Sequence, residues 1–315
     1  MSAADFQERI LVIKHGALGD VVLAEGPFQA IRAHHPDAHI TLLTTALFKP
    51  FLEKSGLFDE IWVDEKPKFW NVLKLMRLKD KLVRGHFNRV YDLQTSTRSS
   101  SYFGLLPSGQ KVEWSGVAKG CSHPHDNPDR GKLHTLERQA EQLKIAGIET
   151  IPPVDFKWAI KAAKKFELPE KIALLVPGGS AHRPEKRWPA EKYAELANLL
   201  ASQDITPVLI GGKAEQDVLD HIMHLCQEAI DLSGKTSLHD LAALGDKATV
   251  SVGNDTGPLH LFAAVGCPTV VLFSNASDPN RARPRGADVT VLREADLADL
   301  PLSPVVEALK LPVFS

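Results

Sequence analysis

The chain has 315 residues, of which 43% are hydrophobic, so it can bury a large core and its length favours two domains. Its formal net charge of -2 argues against general nucleic-acid binding, although local basic patches could still meet an anionic partner. Three widely spaced cysteines fit no zinc or redox motif, which favours buried thiols in a reducing compartment. With no signal-peptide pattern and no apolar run of roughly 20 residues, we expect a cytoplasmic or peripheral protein.

Short apolar runs alternate with amphipathic segments along the first half of the chain. The runs at residues 9–14, 39–44, 60–64 and 89–94 have the length and β-branched content of buried strands. Alternation of such strands with helices predicts a parallel α/β sheet, in which ligands bind at the carboxyl ends of the strands.

The turn after the first predicted strand has the sequence KHGALGD, residues 14–20. It lacks the third glycine of the dinucleotide fingerprint and the lysine of a phosphate-binding P-loop. Two interpretations stay open. Gly16 and Gly19 could merely permit a tight turn while Asp20 caps the helix, or the turn could present Asp20 to a ligand.

Residues 66–87 predict a basic amphipathic helix, with seven basic residues against one acid. Apolar residues are interleaved with the charges, among them Phe69, Trp70, Leu73, Met76 and Leu78. We favour a solvent-facing charged surface that covers an ordinary buried core stripe, and binding to an anionic bilayer is the alternative.

Two later features of the first half concern ligand contacts. Arg98 follows the strand at 89–94, so its position suits it to hold a phosphate or carboxylate. His123, His125 and His134 form an incomplete set for a catalytic metal, and a flexible loop is the interpretation we favour. Residues 147–158, with Pro152 and Pro153, are the best candidate linker.

The second half restarts the pattern with predicted strands at residues 171–176, 206–212, 248–254 and 268–274. Between the first two, a helix is predicted from Pro189, with Tyr193, Leu196, Ala197 and Leu200 on one face. This unit is the crossover expected between parallel strands.

The segment 251–264 is the strongest candidate ligand site. A strand ends at Asn254, Asp255 and Thr256 are predicted to supply capping side chains, and Gly257 allows close approach. The unpaired N–H groups of the helix that follows, whose first turn includes His260, would bind an anion such as a diphosphate. An ordinary strand-to-helix turn is the alternative.

A second glycine turn, residues 177–189, places positive charge just before a predicted helix. Such charge is disfavoured by the helix dipole unless an anionic ligand lies between, and a solvated basic loop is the alternative. The side chains concerned follow Gly178 and Gly179 and are Ser180, Arg183, Lys186 and Arg187.

Together these motifs resemble glycosyltransferase family 9, the ADP-heptose:lipopolysaccharide heptosyltransferases. The matching stretches are LGD (18–20), PGGS and KRWP (177–189), LSGKTSLHDLAAL (232–244) and GNDTGPLHLFAAVGCPTVVLF (253–273). The resemblance implies the α/β fold called GT-B, two Rossmann-like doubly wound domains facing a central cleft. We expect residues 1–152 to bind the acceptor and residues 153–315 the nucleotide sugar, with the last helix able to pack back on the first domain.

The resemblance also implies inverting, metal-independent transfer of a heptose from ADP-L-glycero-D-manno-heptose to the lipopolysaccharide inner core. No cofactor is expected beyond this donor. Asp20 would be the base, and Lys186 with the N–H groups of Thr256 and Gly257 would stabilise the leaving ADP. The remaining predicted substrate contacts are Gly19, Arg98, Ser180, Arg187, Glu215, Thr236, Asp255 and His260.

Several alternatives stay open at this point. Glu215 is expected near the ribose hydroxyls and Thr236 near the adenine, although Glu215 could equally be an exposed acid in a first helical turn. The donor could carry another nucleotide, and the acceptor could be a protein. An epimerase or a non-catalytic nucleotide binder is the alternative from another class. We expect a cytoplasmic location, with peripheral contact at the inner membrane as a further possibility.

Overall fold

A computed structural model of the chain describes residues 7–68, 70–107, 111–179 and 183–311. Its contacts divide the chain into two compact units, Met1–Val154 and Asp155–Ser315. The division falls in the proline-containing segment that the sequence suggests as a linker, two residues after the predicted boundary. The predicted site residue Ser180 lies outside the described residues.

The described part of the first unit contains a six-stranded parallel sheet in the order β3-β2-β1-β4-β5-β6. Its strands are β1 (Arg9–Ile13), β2 (His39–Thr44), β3 (Glu60–Val63), β4 (Arg89–Asp92), β5 (Glu113–Gly116) and β6 (His123–Pro124). Its helices are α1 (Leu18–Val22), α2 (Glu25–His34), α3 (Lys49–Leu52), α4 (Val72–Arg84), α5 (Thr97–Ser101) and α6 (Thr135–Ile145), with a 3-10 turn at Tyr102–Leu105.

The described part of the second unit repeats this plan, with a parallel sheet in the order β12-β11-β10-β7-β8-β9. Its strands are β7 (Ile172–Val176), β8 (Thr206–Leu209), β9 (Ile230–Asp231), β10 (Val250–Asn254), β11 (Thr269–Phe273) and β12 (Val289–Arg293). Its helices are α7 (Lys157–Lys161), α8 (Ala190–Ala201), α9 (Gln216–Leu225), α10 (Leu238–Lys247), α11 (Gly257–Ala264), α12 (Pro279–Ala282) and α13 (Leu302–Ala308). Three 3-10 turns lie at Pro184–Lys186, Lys213–Glu215 and Leu297–Asp299.

All eight strands predicted from apolar runs are present. In β1 the side chains from Ile10 to Ile13 are completely buried, as a central strand covered on both faces requires. The strands β5, β6, β9 and β12 were not predicted. β6 and β9 have only two residues each, and β5 (Glu113–Gly116) has little apolar or β-branched content. β12 (VTVLR) has both the length and the β-branched content of a strand and was missed nonetheless.

Helix α8 confirms the predicted core face, because Tyr193, Leu196, Ala197 and Leu200 are all completely buried. The predicted start was wrong by one residue. Pro189 precedes the helix as its N-cap, with an extended backbone (ψ 143°), and the first helical residue is Ala190. As for the last helix, Val305 of α13 and the following Leu309 lie in the core of the second unit.

Each sheet reverses its strand order once, between β1 and β4 in the first unit and between β7 and β10 in the second. Loops that leave neighbouring strands in opposite directions open a crevice at this point, where α/β proteins bind ligands. None of the helices in the described part of the chain is both long and apolar enough to cross a membrane.

Candidate active site

The turn that carries Asp20 follows β1 and requires glycine at its start. Gly16 has φ +115°, and a Cβ atom there would lie 2.6 Å from the ring of Phe48. Ala17 is the N-cap of α1 and makes no side-chain capping bond, whereas Asp20 is the third helical residue and half-buried. Asp20 is therefore not the helix cap, which removes that interpretation of the turn. The predicted contact residue Gly19 is buried within α1.

A cavity of about 230 Å³ lies beside Asp20, at the point where the strand order of the first sheet reverses. Its lining is polar and carries three cationic side chains beside one carboxylate. The lining includes Lys14, Asp20, Gln94, Arg130, Arg138 and Gln139. The excess of positive charge makes this cavity suited to an anionic group.

Four polar side chains of this cavity are deeply buried: Lys14, Thr135, Gln139 and Gln142. Lys14 is 3% exposed and its ammonium donates to the carbonyl of Leu93 at 3.1 Å. Burial lowers the pKa of Lys14, and the negative charges of Asp20 and Asp92 oppose that effect. Gln139 is 4% exposed, and neither atom of its amide has a hydrogen-bond partner within the described residues. A buried amide of this kind is satisfied when a ligand supplies the partner.

The cations of this cavity were not predicted from the sequence. Arg98, the predicted arginine, donates instead to the carbonyl of Pro67 at 2.8 Å and is absent from the cavity lining. Arg130 and Arg138 come from the loop before α6 and from α6 itself. Neither follows a predicted strand, so no sequence signal placed them beside Asp20.

Buried polar contacts of Asp64 support the turn that carries Asp20. Asp64, after β3, lies 2.9 Å from Nε2 of His15 and accepts a hydrogen bond from the hydroxyl of Tyr102 at 2.6 Å. Burial alone would raise the pKa of Asp64, but the close approach of His15 and the hydrogen bond from Tyr102 outweigh it and hold the pKa below its usual value. The charged carboxylate of Asp64 thus connects three segments of the unit: the turn at His15, the loop after β3 and the 3-10 turn that begins at Tyr102.

In the loop predicted around His123, His125 and His134, the ring of His125 makes ordinary polar contacts. Nε2 of His125 lies 3.0 Å from Glu141, and its Nδ1 accepts a hydrogen bond from Arg130 at 3.1 Å. Among the residues that the structure describes, no group of three or more His, Cys, Asp or Glu side chains could hold a metal ion.

In the second unit, Asn254 joins the loops that follow β7 and β10. Its amide nitrogen donates to the carbonyls of Pro177 and Gly178, at 2.8 and 3.0 Å. Its amide oxygen accepts from the backbone of Trp188 and from the hydroxyl of Tyr193, both at 3.1 Å. Since the side chain is 1% exposed, these four bonds fix the glycine turn relative to the start of α11.

Asp255 does not cap α11, contrary to the prediction. Its carboxylate accepts from the ammonium of Lys186 at 2.9 Å and from the hydroxyl of Ser277 at 2.8 Å. Thr256 is the N-cap, but its hydroxyl donates to the carbonyl of Asn254 rather than accepting from the helix. The first-turn N–H groups of α11 therefore receive no side-chain cap, which leaves this end of the helix able to meet an anion.

The remaining predicted residues of the second unit lie on neighbouring loops. Glu215 folds back to accept from the backbone of Gly212 at 2.9 Å, and a Cβ atom on Gly178 would lie 3.0 Å from its Cγ. Thr236 is half-buried on the loop after β9, which is bonded to the loop after β8 through Gly234. Four strand ends thus bring their loops to one edge of the sheet.

The arginines beside the glycine turn hold backbone carbonyls. Arg187 donates to the carbonyl of Gly179 at 2.6 Å, and Arg183 donates to that of Ala276 at 3.2 Å. His260 is in the first turn of α11, as predicted, and is 7% exposed. The second unit therefore gathers Lys186, Arg187 and the α11 N-terminus around a bare glycine backbone.

Comparison with known proteins gives relatives along most of the chain. The lipopolysaccharide core heptosyltransferase OpsX of Haemophilus influenzae is 25% identical, over 84% of this chain and 78% of that protein. The lipooligosaccharide heptosyltransferase 2 of the same species is 24% identical, over 90% of this chain and 88% of that protein.

Solved structures show the fold. A glycosyltransferase family 9 protein from Veillonella parvula superposes with a TM-score of 0.80 at 23% identity, over 96% of both chains. The E. coli heptosyltransferase WaaC with ADP gives 0.78 at 21% identity, over 95% of this chain and 98% of that chain. A UDP-GlcNAc 2-epimerase from Methanocaldococcus jannaschii gives 0.56 at 13%, over 97% and 93% of the two chains, so the architecture alone does not separate transferases from epimerases.

Two doubly wound parallel sheets together with these neighbours confirm the predicted GT-B fold. The family model for glycosyltransferase family 9 (heptosyltransferase) matches residues 75–303, which is more than half of the chain. The chain therefore belongs to glycosyltransferase family 9 and is a glycosyltransferase.

Proposed function

We propose that this enzyme transfers a heptose from ADP-L-glycero-D-manno-heptose to the inner core of lipopolysaccharide, with inversion and without a metal. Membership of family 9 and relatives named as lipopolysaccharide heptosyltransferases support the sugar and the acceptor. The structural neighbour solved with ADP supports the nucleotide. The observation that carries the proposal is the pairing of Lys186 with Asp255 beside the uncapped N-terminus of α11, where the second sheet reverses its strand order, with Glu215 packed against Gly178 of the adjoining glycine turn.

The second unit would hold the donor. The N–H groups of Thr256 and Gly257 and the ammonium of Lys186 would bind the diphosphate, with Arg187 as an auxiliary cation. Asp255 holds the Lys186 ammonium beside the helix N-terminus. Glu215 would bind the ribose hydroxyls and Thr236 would lie along the adenine. Ser180 and His260 remain predicted contacts of the second unit, and Gly19 and Arg98 remain predicted contacts of the first unit, with Arg98 predicted for the acceptor.

The first unit would bind the acceptor in the cavity beside Asp20. Three cations and the unpartnered amide of Gln139 suit an acceptor that carries a carboxylate or a phosphate. This chemistry fits an acidic, lipid-linked oligosaccharide better than a neutral sugar. Because a lipid-linked acceptor would be held in the inner membrane, we propose that the enzyme is cytoplasmic and acts at the surface of that membrane.

In the proposed reaction, the carboxylate of Asp20 takes the proton of the acceptor hydroxyl. The acceptor oxygen then forms a bond to the anomeric carbon while the bond from that carbon to the diphosphate breaks. The electron pair of the broken bond leaves with ADP, where Lys186 and the α11 N–H groups stabilise the new charge. Attack opposite the leaving group inverts the anomeric configuration. Because protein groups supply the positive charge, the proposed step requires no metal.

The test measures ADP release from ADP-heptose in the presence of a delipidated core acceptor. Asp20→Asn should lower kcat about 10²- to 10⁴-fold, the range of general-base catalysis, while calorimetric affinity for ADP stays unchanged. Asp37→Asn is the matched control, since Asp37 is an exposed acid of the same unit outside the cavity. Normal turnover in Asp20→Asn would refute the assigned base.

A donor screen separates the remaining alternatives. ADP should raise the melting temperature more than UDP or GDP, because a ligand stabilises the state that binds it. Preference for another nucleotide would point to another donor. Acceptor-independent conversion of the sugar, followed by NMR, would indicate an epimerase. The anomeric configuration of the product and the rate in the presence of EDTA test inversion and metal independence.

A further inference from the structure

Helix α4 carries two apolar stripes, of which only one is buried. Leu78 and Leu82 are 8% and 1% exposed and belong to the core of the first unit. The other stripe faces solvent. Its side chains, with their exposed fractions, are Trp70 (77%), Val72 (57%), Leu73 (72%) and Met76 (62%).

These four side chains form one surface, which we call the α4 face. At about 100° of rotation per residue, Val72, Leu73 and Met76 fall within one sector about 100° wide, and Leu78 and Leu82 lie outside it. Trp70 lies two residues before the helix begins. An exposed aromatic and three exposed aliphatic side chains within seven residues mark an interaction surface rather than scattered exposed residues.

Cations border the α4 face. Between Glu65 and Arg84 the sequence has seven basic residues and two acids, in a chain whose net charge is -2. Both acids are already paired, Glu65 with Lys74 at 2.6 Å and Asp80 with Arg84 at 2.9 Å. The ammonium of Lys68 lies 5.0 Å from the ring centroid of Trp70. The surface therefore combines exposed apolar area with an excess of positive charge.

A cavity of about 180 Å³ beside the helix adds a second observation. Lys74, Arg77 and Lys81 line it together with the carboxylates of Asp64 and Glu65. By the same rotation Arg77 lies about 40° beyond the edge of the α4 face, so its guanidinium can hold the phosphate of a lipid headgroup while the apolar side chains enter the acyl boundary.

We propose that the α4 face docks on a bilayer that contains anionic lipids. A second copy of the chain is a poorer occupant, because symmetric pairing of this face would bring like charges together. An anionic polymer such as nucleic acid would use the cations but leave the apolar side chains in water. An anionic lipid surface satisfies both features at once. The proposal goes beyond the transfer reaction and does not depend on the identity of the donor.

Trp70 provides a local probe of docking. The chain has five tryptophans, and the other four are less exposed: Trp62, Trp114 and Trp188 are buried and Trp158 is half-buried. A blue shift of tryptophan emission on addition of vesicles would therefore come mainly from Trp70. Trp70→Phe should remove the shift and keep most of the binding.

The experiment is sedimentation of the purified protein with vesicles of phosphatidylcholine alone or mixed with phosphatidylglycerol. We expect binding to the mixed vesicles, weakened by salt, and little binding to phosphatidylcholine alone. Leu73→Ser with Met76→Ser should abolish it, and Arg77→Gln should weaken partitioning about fivefold. Leu225→Ser and Lys132→Gln are controls, because they remove an exposed apolar side chain and an exposed cation outside the α4 face and should bind as the unchanged protein does.

Equal partitioning to both kinds of vesicle, or unchanged binding by the double serine variant, would overturn the proposal. So would a dimer in sedimentation velocity that the double variant dissociates, because the face would then be an interface between copies. Circular dichroism should show unchanged folding in every variant, since the replaced side chains are exposed. No substrate enters these measurements, so their failure is distinguishable from failure of the proposed reaction.

Discussion

The four hydrogen bonds of Asn254 allow a sharp test of the second unit. In Asn254→Asp the introduced carboxylate can still accept from the backbone of Trp188 and from the hydroxyl of Tyr193. It cannot donate to the carbonyls of Pro177 and Gly178, which the native amide holds at 2.8 and 3.0 Å. Two lost hydrogen bonds, with two buried carbonyls left facing a carboxylate, should lower the free energy of unfolding by about 2–4 kcal/mol at neutral pH.

The loss of stability in Asn254→Asp should depend on pH, because the introduced carboxyl can be protonated. Protonation of the introduced carboxyl restores one donor, so the folded state should bind that proton more tightly than the unfolded chain. The deficit relative to the unchanged protein should therefore shrink as the pH falls from about 7.5 to about 5.5. ADP affinity should fall in parallel, because the same bonds fix the glycine turn of the proposed donor site.

The assay is urea unfolding followed by circular dichroism at both pH values, with ADP titrations by calorimetry. Asn198→Asp is the matched control, because Asn198 makes one exposed hydrogen bond, to the carbonyl of Leu225 at 3.1 Å. It should cost about 0.5 kcal/mol or less at either pH. The reasoning would be refuted if Asn254→Asp lowered the free energy of unfolding no more than the control does. A larger loss that is the same at both pH values would also refute it.

Two further predictions concern buried positions. Gly253→Ala would bring a Cβ atom to 2.7 Å from that of Val176 and should cost about 1–3 kcal/mol in urea unfolding, whereas Gly104→Ala, with open space around it, should be near neutral. Equal effects of these two would contradict the packing argument. The second position is Asp92, where burial raises the pKa from 3.8 to about 6. The folded state therefore binds the carboxyl proton more tightly than the unfolded chain does, and the ionised carboxylate lowers the free energy of unfolding progressively as the pH rises between these values. Asp92→Asn, which removes the charge, should stabilise the protein by up to about 3 kcal/mol at neutral pH and hardly at all near pH 4; a benefit independent of pH in the same assay would argue against this account.

Local sequence determined the secondary structure that carries the site. Buried parallel strands have a continuous apolar pattern, so residues 172–176 (IALLV) could be assigned from five letters alone. Glycine turns also stand out, because residues such as Gly16 adopt backbone angles that other residues avoid. Motifs that follow strands must then lie at the carboxyl edge of a sheet, which is why the predicted residues of the second unit gather there.

Tertiary structure alone decided which side chains meet. Asp255 was predicted as a cap but pairs with Lys186, a partner distant in sequence whose approach depends on the adjacency of β7 and β10. The arginines beside Asp20 were missed for the same reason, since they reach the cavity from α6 and the loop before it. Helix α4 shows the limit most plainly. Its periodicity predicts an apolar face, but packing against the first sheet decides that Leu78 and Leu82 are buried while Leu73 and Met76 stay in solvent, because burial depends on what lies opposite a face and not on the face itself.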